Sequence, residues 1–389
     1  MTSLVDEFAD IRPYLDSEVR GVLDSMLGDD ELITTIANLR LKFLNSLCPW
    51  LVKPLLRFIL RRELAGVDTV QVFQDKVKKY MNRMVAQTTT GFTTSGLDSL
   101  MANKPYLFMS NHRDIALDPA FLNYALYHND HDTARIAIGD NLLSKPFAAH
   151  LMRLNKSFIV KRSAKGPRQM LAAYKQLSGY IRHSLDIDNN PIWIAQREGR
   201  AKDGLDRTEP AIIKMLTMAM NKESEVFADY IRHLQIVPVS ISYEFDPCDG
   251  AKARELYQKA HQGSYQKAEH EDLTSIALGI SGQKGNVHVS FGTPLAADFS
   301  DADEVAAEID RQVIGNYVLH PTSFFAWYAL HGEYPDLPCG AEAKPFDAQR
   351  YAAIGAEFSA RIAALPEEQR PYALAIYANA ISSKLELLN

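Results

Sequence analysis

Short apolar runs alternate with helix-length segments through the middle of the chain. The apolar runs that predict strands lie at residues 106–109, 133–139, 157–160, 191–195, 234–243 and 287–291. The segments between them, such as 167–184, place apolar residues at helical spacing. Strands that alternate with helices in this way are typical of a largely parallel sheet. The sequence therefore predicts an α/β fold with a mostly parallel sheet flanked by helices.

The two ends of the chain lack this alternation and predict helices only. Residues 86–105 are rich in threonine and glycine, and they predict an edge strand with a turn that leads into the sheet. We therefore expect three regions: a helical N-terminal region at 1–85, an α/β domain at 86–298 and a helical C-terminal extension at 299–389.

The segment 106–127 carries a histidine between a predicted strand and a predicted helix. The helix is expected to begin at Pro119, with Asp118 as its N-cap. His112 precedes this helix, and Asp114 and Asp118 are its nearest carboxylates in sequence. A carboxylate orients an imidazole and stabilises the imidazolium, which suits a general base. His112 is thus a candidate base, although a histidine that only bridges loop backbone would fit the same pattern.

Two cationic clusters follow other predicted strands. They comprise Lys161, Arg162, Lys165 and Arg168 in the first cluster, and Arg197, Arg200 and Lys202 in the second. In parallel sheets the ligand crevice lies at the carboxyl ends of the strands, so we expect both clusters near His112. Guanidinium groups bind phosphate through paired hydrogen bonds. The pattern predicts an anion pocket beside a base; two solvated surface clusters are the alternative.

Residues 39–62 are basic and amphipathic. They contain six lysines and arginines, no acid, and many large apolar residues including Trp50. Pro49 and Pro54 predict two short helices instead of one long helix. Such a segment suits the surface of an anionic bilayer. The alternative is a helix pair that packs on the main domain with its charges in solvent.

Composition excludes several classes of protein. The formal net charge of −6 argues against a nucleic-acid partner. Three widely spaced cysteines predict neither a disulfide framework nor a Cys-rich zinc site, which fits a reducing cytoplasm. The acidic N-terminus does not resemble a signal peptide, and no apolar run approaches the roughly 20 residues that span a bilayer. We expect a cytoplasmic protein, peripheral on the cytoplasmic face of the membrane if residues 39–62 bind lipid.

Five short motifs follow one another over roughly residues 95–297. They are Asn111-His112 with Leu117-Asp118-Pro119, Phe158-Ile159-Val160-Lys161-Arg162, Arg197-Glu198-Gly199-Arg200, Ile236-Val237-Pro238-Val239-Ser240, and Phe291-Gly292-Thr293-Pro294-Leu295. Their order and spacing resemble those of the glycerolipid acyltransferase family, which includes glycerol-3-phosphate and 1-acylglycerol-3-phosphate acyltransferases.

The resemblance implies an acyl transfer with His112 as general base. His112 would remove a proton from an acceptor hydroxyl, which attacks the thioester of acyl-CoA or acyl-carrier protein. The acceptor would be glycerol-3-phosphate or 1-acylglycerol-3-phosphate at the inner membrane surface. Asp118 would orient His112. The resemblance implies no metal and no cofactor beyond the thioester co-substrate, and His-Glu-x-x-His and Gly-x-Ser-x-Gly motifs are absent.

The remaining motifs imply substrate contacts. Arg162 and Arg200, with Lys161, would hold the acceptor phosphate. Glu198, next to Gly199, would position these cations or the acceptor. The strand that contains Pro238 would line the acyl pocket. Non-glycerol lysolipids, such as amino-acid-based ones, are an alternative acceptor class, and a non-catalytic membrane-surface lipid-binding protein is an alternative function.

The sequence departs from the family pattern in two places. Five residues separate His112 from Asp118, where the family usually has four. Either the turn contains a bulge and Asp118 keeps its role in Leu-Asp-Pro, which we favour, or Asp114 has taken that role. The third motif lacks the usual Phe-Pro before Glu198 and the threonine after Gly199. The glycine-containing run from Gly199 and the polar insertion at 246–286 resemble the glycerol-3-phosphate branch, without deciding the acceptor.

Overall fold

The computed structural model describes residues 6–143, 145–268 and 271–388, and the side chains of residues 39–47 and 49 are outside this description. The described residues form fifteen α-helices: α1 (Asp16–Gly28), α2 (Asp30–Leu47), α3 (Pro49–Glu63), α4 (Val70–Thr88), α5 (Leu117–His128), α6 (Pro146–Leu154), α7 (Pro167–Asp186), α8 (Pro210–Leu216), α9 (Phe227–His233), α10 (Asp249–Gln262), α11 (Glu271–Ser281), α12 (Ala302–Asn316), α13 (Pro321–His331), α14 (Ala352–Ala363) and α15 (Arg370–Leu388).

They also form nine strands: β1 (Gly91–Ser95), β2 (Leu107–Ser110), β3 (Arg135–Gly139), β4 (Ser157–Val160), β5 (Ile192–Ala195), β6 (Ile236–Tyr243), β7 (Asn286–Phe291), β8 (Pro338–Cys339) and β9 (Lys344–Pro345). The chain divides into two compact units. The first runs to Tyr80 and resumes from Arg135 to Ala173, and the second comprises Met81–Ala134 and the chain from Tyr174 onward. These units cut across the three consecutive regions predicted from the sequence.

The second unit contains five adjacent strands in the order β1-β7-β6-β2-β5. The β1–β7, β6–β2 and β2–β5 pairs are parallel, and only β6–β7 is antiparallel. All eight residues of β6 are buried, as expected for a strand with neighbours on both sides and cover on both faces. The predicted mostly parallel α/β class is confirmed.

The first unit combines the N-terminal helices with β3, α6 and β4. Strands β3 and β4 are parallel and are connected through α6, a short crossover of the kind that parallel strands require. The core of this unit joins residues of α1 and α4 to α6, with Val19, Leu23, Phe73 and Leu154 buried together. Apolar contacts between the helices therefore stabilise this unit.

The basic segment forms two helices, α2 and α3, with the break at Cys48 before Pro49. The prediction that Pro54 also interrupts a helix is wrong, because Pro54 lies inside α3. At this position proline removes only the hydrogen bond to the carbonyl of Trp50, which belongs to the first turn. The polar insertion at 246–286 contains two helices, α10 and α11.

Candidate active site

Strand β2 ends just before His112, and Asn111 fixes the turn that follows. The Asn111 side-chain amide donates to the carbonyl of Ile241 at 3.0 Å and accepts from the Ile241 backbone N–H at 2.8 Å. This fully buried side chain continues the pairing of β2 with β6 by one residue. His112 therefore leaves the sheet from a rigid position.

His112 and Asp118 form a direct hydrogen-bonded pair. The distance from His112 Nδ1 to Asp118 Oδ2 is 2.8 Å. Oδ2 also accepts from the backbone N–H groups of Arg113 at 2.6 Å and Asp114 at 2.9 Å. Because Oδ2 acts as an acceptor in this arrangement, Nδ1 carries the proton and Nε2 has a free lone pair. The His112 side chain is 14% exposed while Asp118 is fully buried, so the imidazole reaches solvent and the carboxylate does not.

Asp114 caps helix α5 instead of facing His112. Its Oδ1 accepts from the backbone N–H groups of Ala116 and Leu117, both at 2.9 Å. The helix begins at Leu117, so the prediction of Asp118 as N-cap and Pro119 as the first helical residue is wrong. Burial, and then the charge of Asp118, raise the pKa of Asp114. The geometry gives the two carboxylates separate tasks, with Asp118 against the imidazole.

Asparagine substitutions should separate these two carboxylates. Asp118→Asn should lower kcat by about 10⁴-fold, because an amide favours the wrong tautomer of His112 and cannot stabilise its imidazolium. Asp114→Asn keeps an oxygen that caps α5 and should change kcat by less than about tenfold. Steady-state rates and thermal unfolding of both variants measure this. A larger loss of kcat in Asp114→Asn would reverse the assignment.

The third motif is held along the His112 turn by backbone and side-chain hydrogen bonds. The backbone N–H of Gln196 donates to the backbone carbonyl of Ser110 at 2.8 Å. The backbone N–H of Ala201 donates to the backbone carbonyl of His112, also at 2.8 Å. The buried Arg113 guanidinium donates to the carbonyl of Gly204 at 3.0 Å and to Asp206 at 2.7 Å. The first and third motifs therefore form one connected structure, with Arg200 adjacent in sequence to a residue bonded to His112.

Gly199 and Gly204 lie in the connection between β5 and α8, and each position favours glycine for a different reason. Gly199 adopts φ +75° with no neighbouring atom near its absent Cβ, so its conformation and not a close protein contact favours glycine. Gly204 adopts φ +82°, and a Cβ there would lie 2.3 Å from the carbonyl oxygen of Ile376. Gly204 thus permits the close approach of α15 to this connection.

Two carboxylates of the insertion at 246–286 form ion pairs with Arg200 of the third motif and with Lys202, which follows it. The Arg200 side chain is only 8% exposed, and its ion-pair partner is Asp272 of α11 at 3.7 Å. Lys202 forms an ion pair with Glu255 of α10, and burial lowers the pKa of Lys202. Glu198 is exposed. A distance of 3.7 Å exceeds that of a charge-assisted hydrogen bond, so Arg200 retains capacity for an anion.

Two aromatic residues contact the pair without having been identified from the sequence. The hydroxyl of Tyr243, at the end of β6, donates to Asp118 Oδ1 at 2.6 Å. The Trp193 ring lies edge-on to the His112 ring with centroids 5.7 Å apart, and its indole N–H donates to Ser110 Oγ at 2.9 Å. Their only sequence signal is an aromatic residue in an apolar strand, which is usually core.

Three further residues were predicted to contact substrate: Lys161, Arg162 and Pro238. In the first unit, Lys161 forms an ion pair with Asp10, and the backbone N–H of Arg162 donates to Asp140 at 3.1 Å. In the second unit, Pro238 pairs with Met109 in the β2–β6 ladder, one residue before the pairing of β6 with β7 begins. The Gly292 backbone N–H, just past the end of β7, donates to the Pro238 carbonyl at 2.8 Å, and proline has no N–H to return this hydrogen bond. The role of Pro238 in an acyl pocket stays a prediction.

Comparison with known proteins relates part of this chain to a protein family. Residues 91–242 match the family model described as Acyltransferase. No curated protein matches the chain. Among solved structures, the 1-acyl-sn-glycerophosphate (LPA) acyltransferase PlsC from Thermotoga maritima is similar, at 12% identity over 66% of this chain and 84% of that chain, with a TM-score of 0.37. The family match spans the first four motifs, so residues 91–242 are similar to the family described as Acyltransferase.

Proposed function

We propose that this acyltransferase moves a fatty acyl group from acyl-CoA or acyl-carrier protein to the hydroxyl of glycerol-3-phosphate or 1-acylglycerol-3-phosphate. The observation that carries the proposal is the His112–Asp118 pair, with Nδ1 bonded to the carboxylate at 2.8 Å and the imidazole partly open to solvent. A pair of this kind can take a proton from a hydroxyl at neutral pH.

The proposed reaction is a direct transfer. His112 Nε2 removes the acceptor proton as the acceptor oxygen attacks the thioester carbonyl. The tetrahedral intermediate then expels the thiolate, and the imidazolium returns the proton to sulfur. The oxygen ester forms, the thioester breaks, and His112 is neutral again. Asp118 stabilises the imidazolium between these steps, and the reaction as proposed uses no metal or cofactor.

The direct test is a thiol-release assay with a long-chain acyl-CoA and a panel of hydroxyl acceptors. The proposal predicts that glycerol-3-phosphate or 1-acylglycerol-3-phosphate raises the release rate, while glycerol does not. Preferential stimulation by an amino-acid-based lysolipid would assign the alternative acceptor class. No stimulation by any acceptor would favour the lipid-binding protein.

Arg200 is proposed to bind the acceptor phosphate, because it is largely buried beside the His112 turn and is only loosely paired with Asp272. Arg200→Ala should raise the KM for a phosphorylated acceptor by about 10- to 100-fold, the loss of a hydrogen bond between charged groups. Arg207→Ala, at an exposed position of the same connection, is the control. An unchanged KM in Arg200→Ala would remove it from the phosphate site.

Helix α3 is proposed to dock on an anionic lipid surface. Its buried side, Val52 and Leu56, packs on Ile33 and Ala37 of α2. Its outer side exposes Trp50, Leu51, Leu55, Phe58 and Ile59, with Arg61 and Arg62 also exposed. Neighbouring apolar and cationic groups complement lipid tails and anionic headgroups. None of the described helices is long and apolar enough to cross a membrane.

Trp50→Ala/Phe58→Ala should shift the protein from anionic vesicles to the supernatant, since these side chains are 75% and 63% exposed. Each buries apolar area only if the helix enters the lipid surface. Ile187→Ala, at another residue that is 71% exposed, is the matched control. Arg57 is unsuitable for this test because it forms an ion pair with Asp30 and donates to Leu27. Equal sedimentation of all three proteins would contradict membrane docking by α3.

A further inference from the structure

We propose that Tyr243 is a positioning residue, whose hydroxyl holds the Asp118 carboxylate in place and sets how strongly His112 binds a proton. The inference rests on the proposed role of His112. Tyr243 lies 125 residues after Asp118, and the hydrogen bond of 2.6 Å is formed inside the protein, where both side chains are buried.

The two oxygens of Asp118 have unequal surroundings. Oδ2 accepts from His112 Nδ1 and from two backbone N–H groups. Oδ1 accepts from the Tyr243 hydroxyl, its one hydrogen-bond donor among the described residues. Loss of this donor would leave a buried carboxylate oxygen without a partner and the carboxylate with contacts on one side only. Tyr243 therefore completes the solvation of the group that orients the base.

Two secondary-structure elements fix the Tyr243 ring. Its backbone pairs with Val287 in the β6–β7 ladder, and its ring lies 5.8 Å from the ring of Phe121 in α5, the helix that carries Asp118. Burial, and then the charges of Asp118 and Asp114, raise the pKa of Tyr243 well above its usual value. The hydroxyl thus remains a protonated donor at neutral pH.

The direction of the effect follows from the charges. A hydroxyl that donates to Asp118 withdraws part of its negative charge from His112. Without that donor, the carboxylate stabilises the imidazolium more strongly, so His112 binds its proton more tightly. Other titratable groups that act on this cluster remain in place when the hydroxyl is removed; they are Arg113, Asp114, Asp246, Lys252, Lys284 and Tyr317.

Tyr243→Phe should therefore shift the His112 titration to higher pH, by about one pH unit, with kcat reduced about tenfold. The shift is measured by NMR titration of the His112 imidazole, assigned by its loss in His112→Gln, and by the acidic limb of kcat/KM. Tyr377→Phe is the matched control, since the buried Tyr377 hydroxyl donates to Asp249 at 2.7 Å. It should leave the His112 titration unchanged.

Replacement of Tyr243 by 3-fluorotyrosine keeps the ring and strengthens the donor, and it should move the His112 titration to lower pH. This second variant tests the inference even if Tyr243→Phe does not fold. An unchanged His112 titration in both folded variants, or in the fluorotyrosine protein alone, would overturn the inference. The NMR measurement does not require activity, so absence of acyl transfer in the parent would contradict the proposed function without deciding the role of Tyr243.

Discussion

His112→Ala should reduce acyl transfer to near background, with kcat lowered by about 10³-fold, because the acceptor hydroxyl then has no base. The fold should be unaffected. Asp118 keeps three of its four donors, namely the N–H groups of Arg113 and Asp114 and the hydroxyl of Tyr243. Thiol release measures the activity, and thermal unfolding measures the stability.

His128→Ala is the control for this substitution, because His128 lies at the exposed end of the same helix, α5. It should retain the activity of the parent. A His112→Ala protein that unfolds at the parent temperature and still transfers acyl groups at more than about a tenth of the parent rate would contradict the role of His112 as base.

Mild acid should destabilise the protein strongly through two buried histidines. Burial lowers the pKa of His288 to about 4, and burial with the nearby His288 lowers the pKa of His320 to about 3. In the unfolded chain both titrate near about 6.5. Their neutral forms therefore contribute stability above about pH 6.5, and this contribution is lost as the pH falls towards 4. At pH 5 each should cost about 2 kcal/mol relative to pH 7.5.

Urea unfolding at pH 7.5 and pH 5 measures this loss, which should total about 4 kcal/mol from the two histidines. His320→Gln should recover about half of the difference, and comparison with the parent cancels the contributions of other titratable groups. The hydroxyls around both rings, Ser242 for His320 and Thr93 and Ser95 for His288, remain in this variant. The same pH dependence in parent and variant would show that His320 is not responsible.

The sequence predicted the elements whose signals are local. Strands β2, β4 and β5 are short apolar runs that end at polar residues, and the structure places them within a residue of the predicted positions. His112 and Asp118 were identified because a strand end and a helix start lie next to each other in sequence. The five residues between His112 and Asp118 still allow contact, because the backbone N–H groups of Arg113 and Asp114 in this turn donate to Asp118.

Contacts between distant segments were not predictable in the same way. Tyr243 and Trp193 occur in strands as ordinary apolar-run residues, and only the pairing of β2 with β5 and β6 brings them to the His112 turn. Asp272 gave no signal either, because its contact with Arg200 depends on where α11 lies. Long-range pairing of this kind is set by the sheet order, which a single sequence does not specify.

Helix α10 was missed because its inward face is charged. Its buried residues include Asp249, Lys252 and Glu255, which a hydrophobic pattern assigns to solvent. They are buried as ion pairs: Lys252 with Asp246, Glu255 with Lys202, and Asp249 with Arg361. Lys252 also donates to the carbonyl of Arg113 at 2.7 Å, so this helix supports the turn that carries His112. The buried face of α10 therefore consists partly of paired charges, whereas a prediction from hydrophobic periodicity expects apolar residues on a buried face.

The most direct measurement of the central claim is product formation by mass spectrometry. The parent protein and His112→Ala are incubated with acyl-CoA and either glycerol-3-phosphate or 1-acylglycerol-3-phosphate. The account predicts that the parent forms an acylated acceptor in equal amount to the thiol released, and that His112→Ala forms neither above background. Thiol release without an acylated acceptor, or equal product from both proteins, would contradict it.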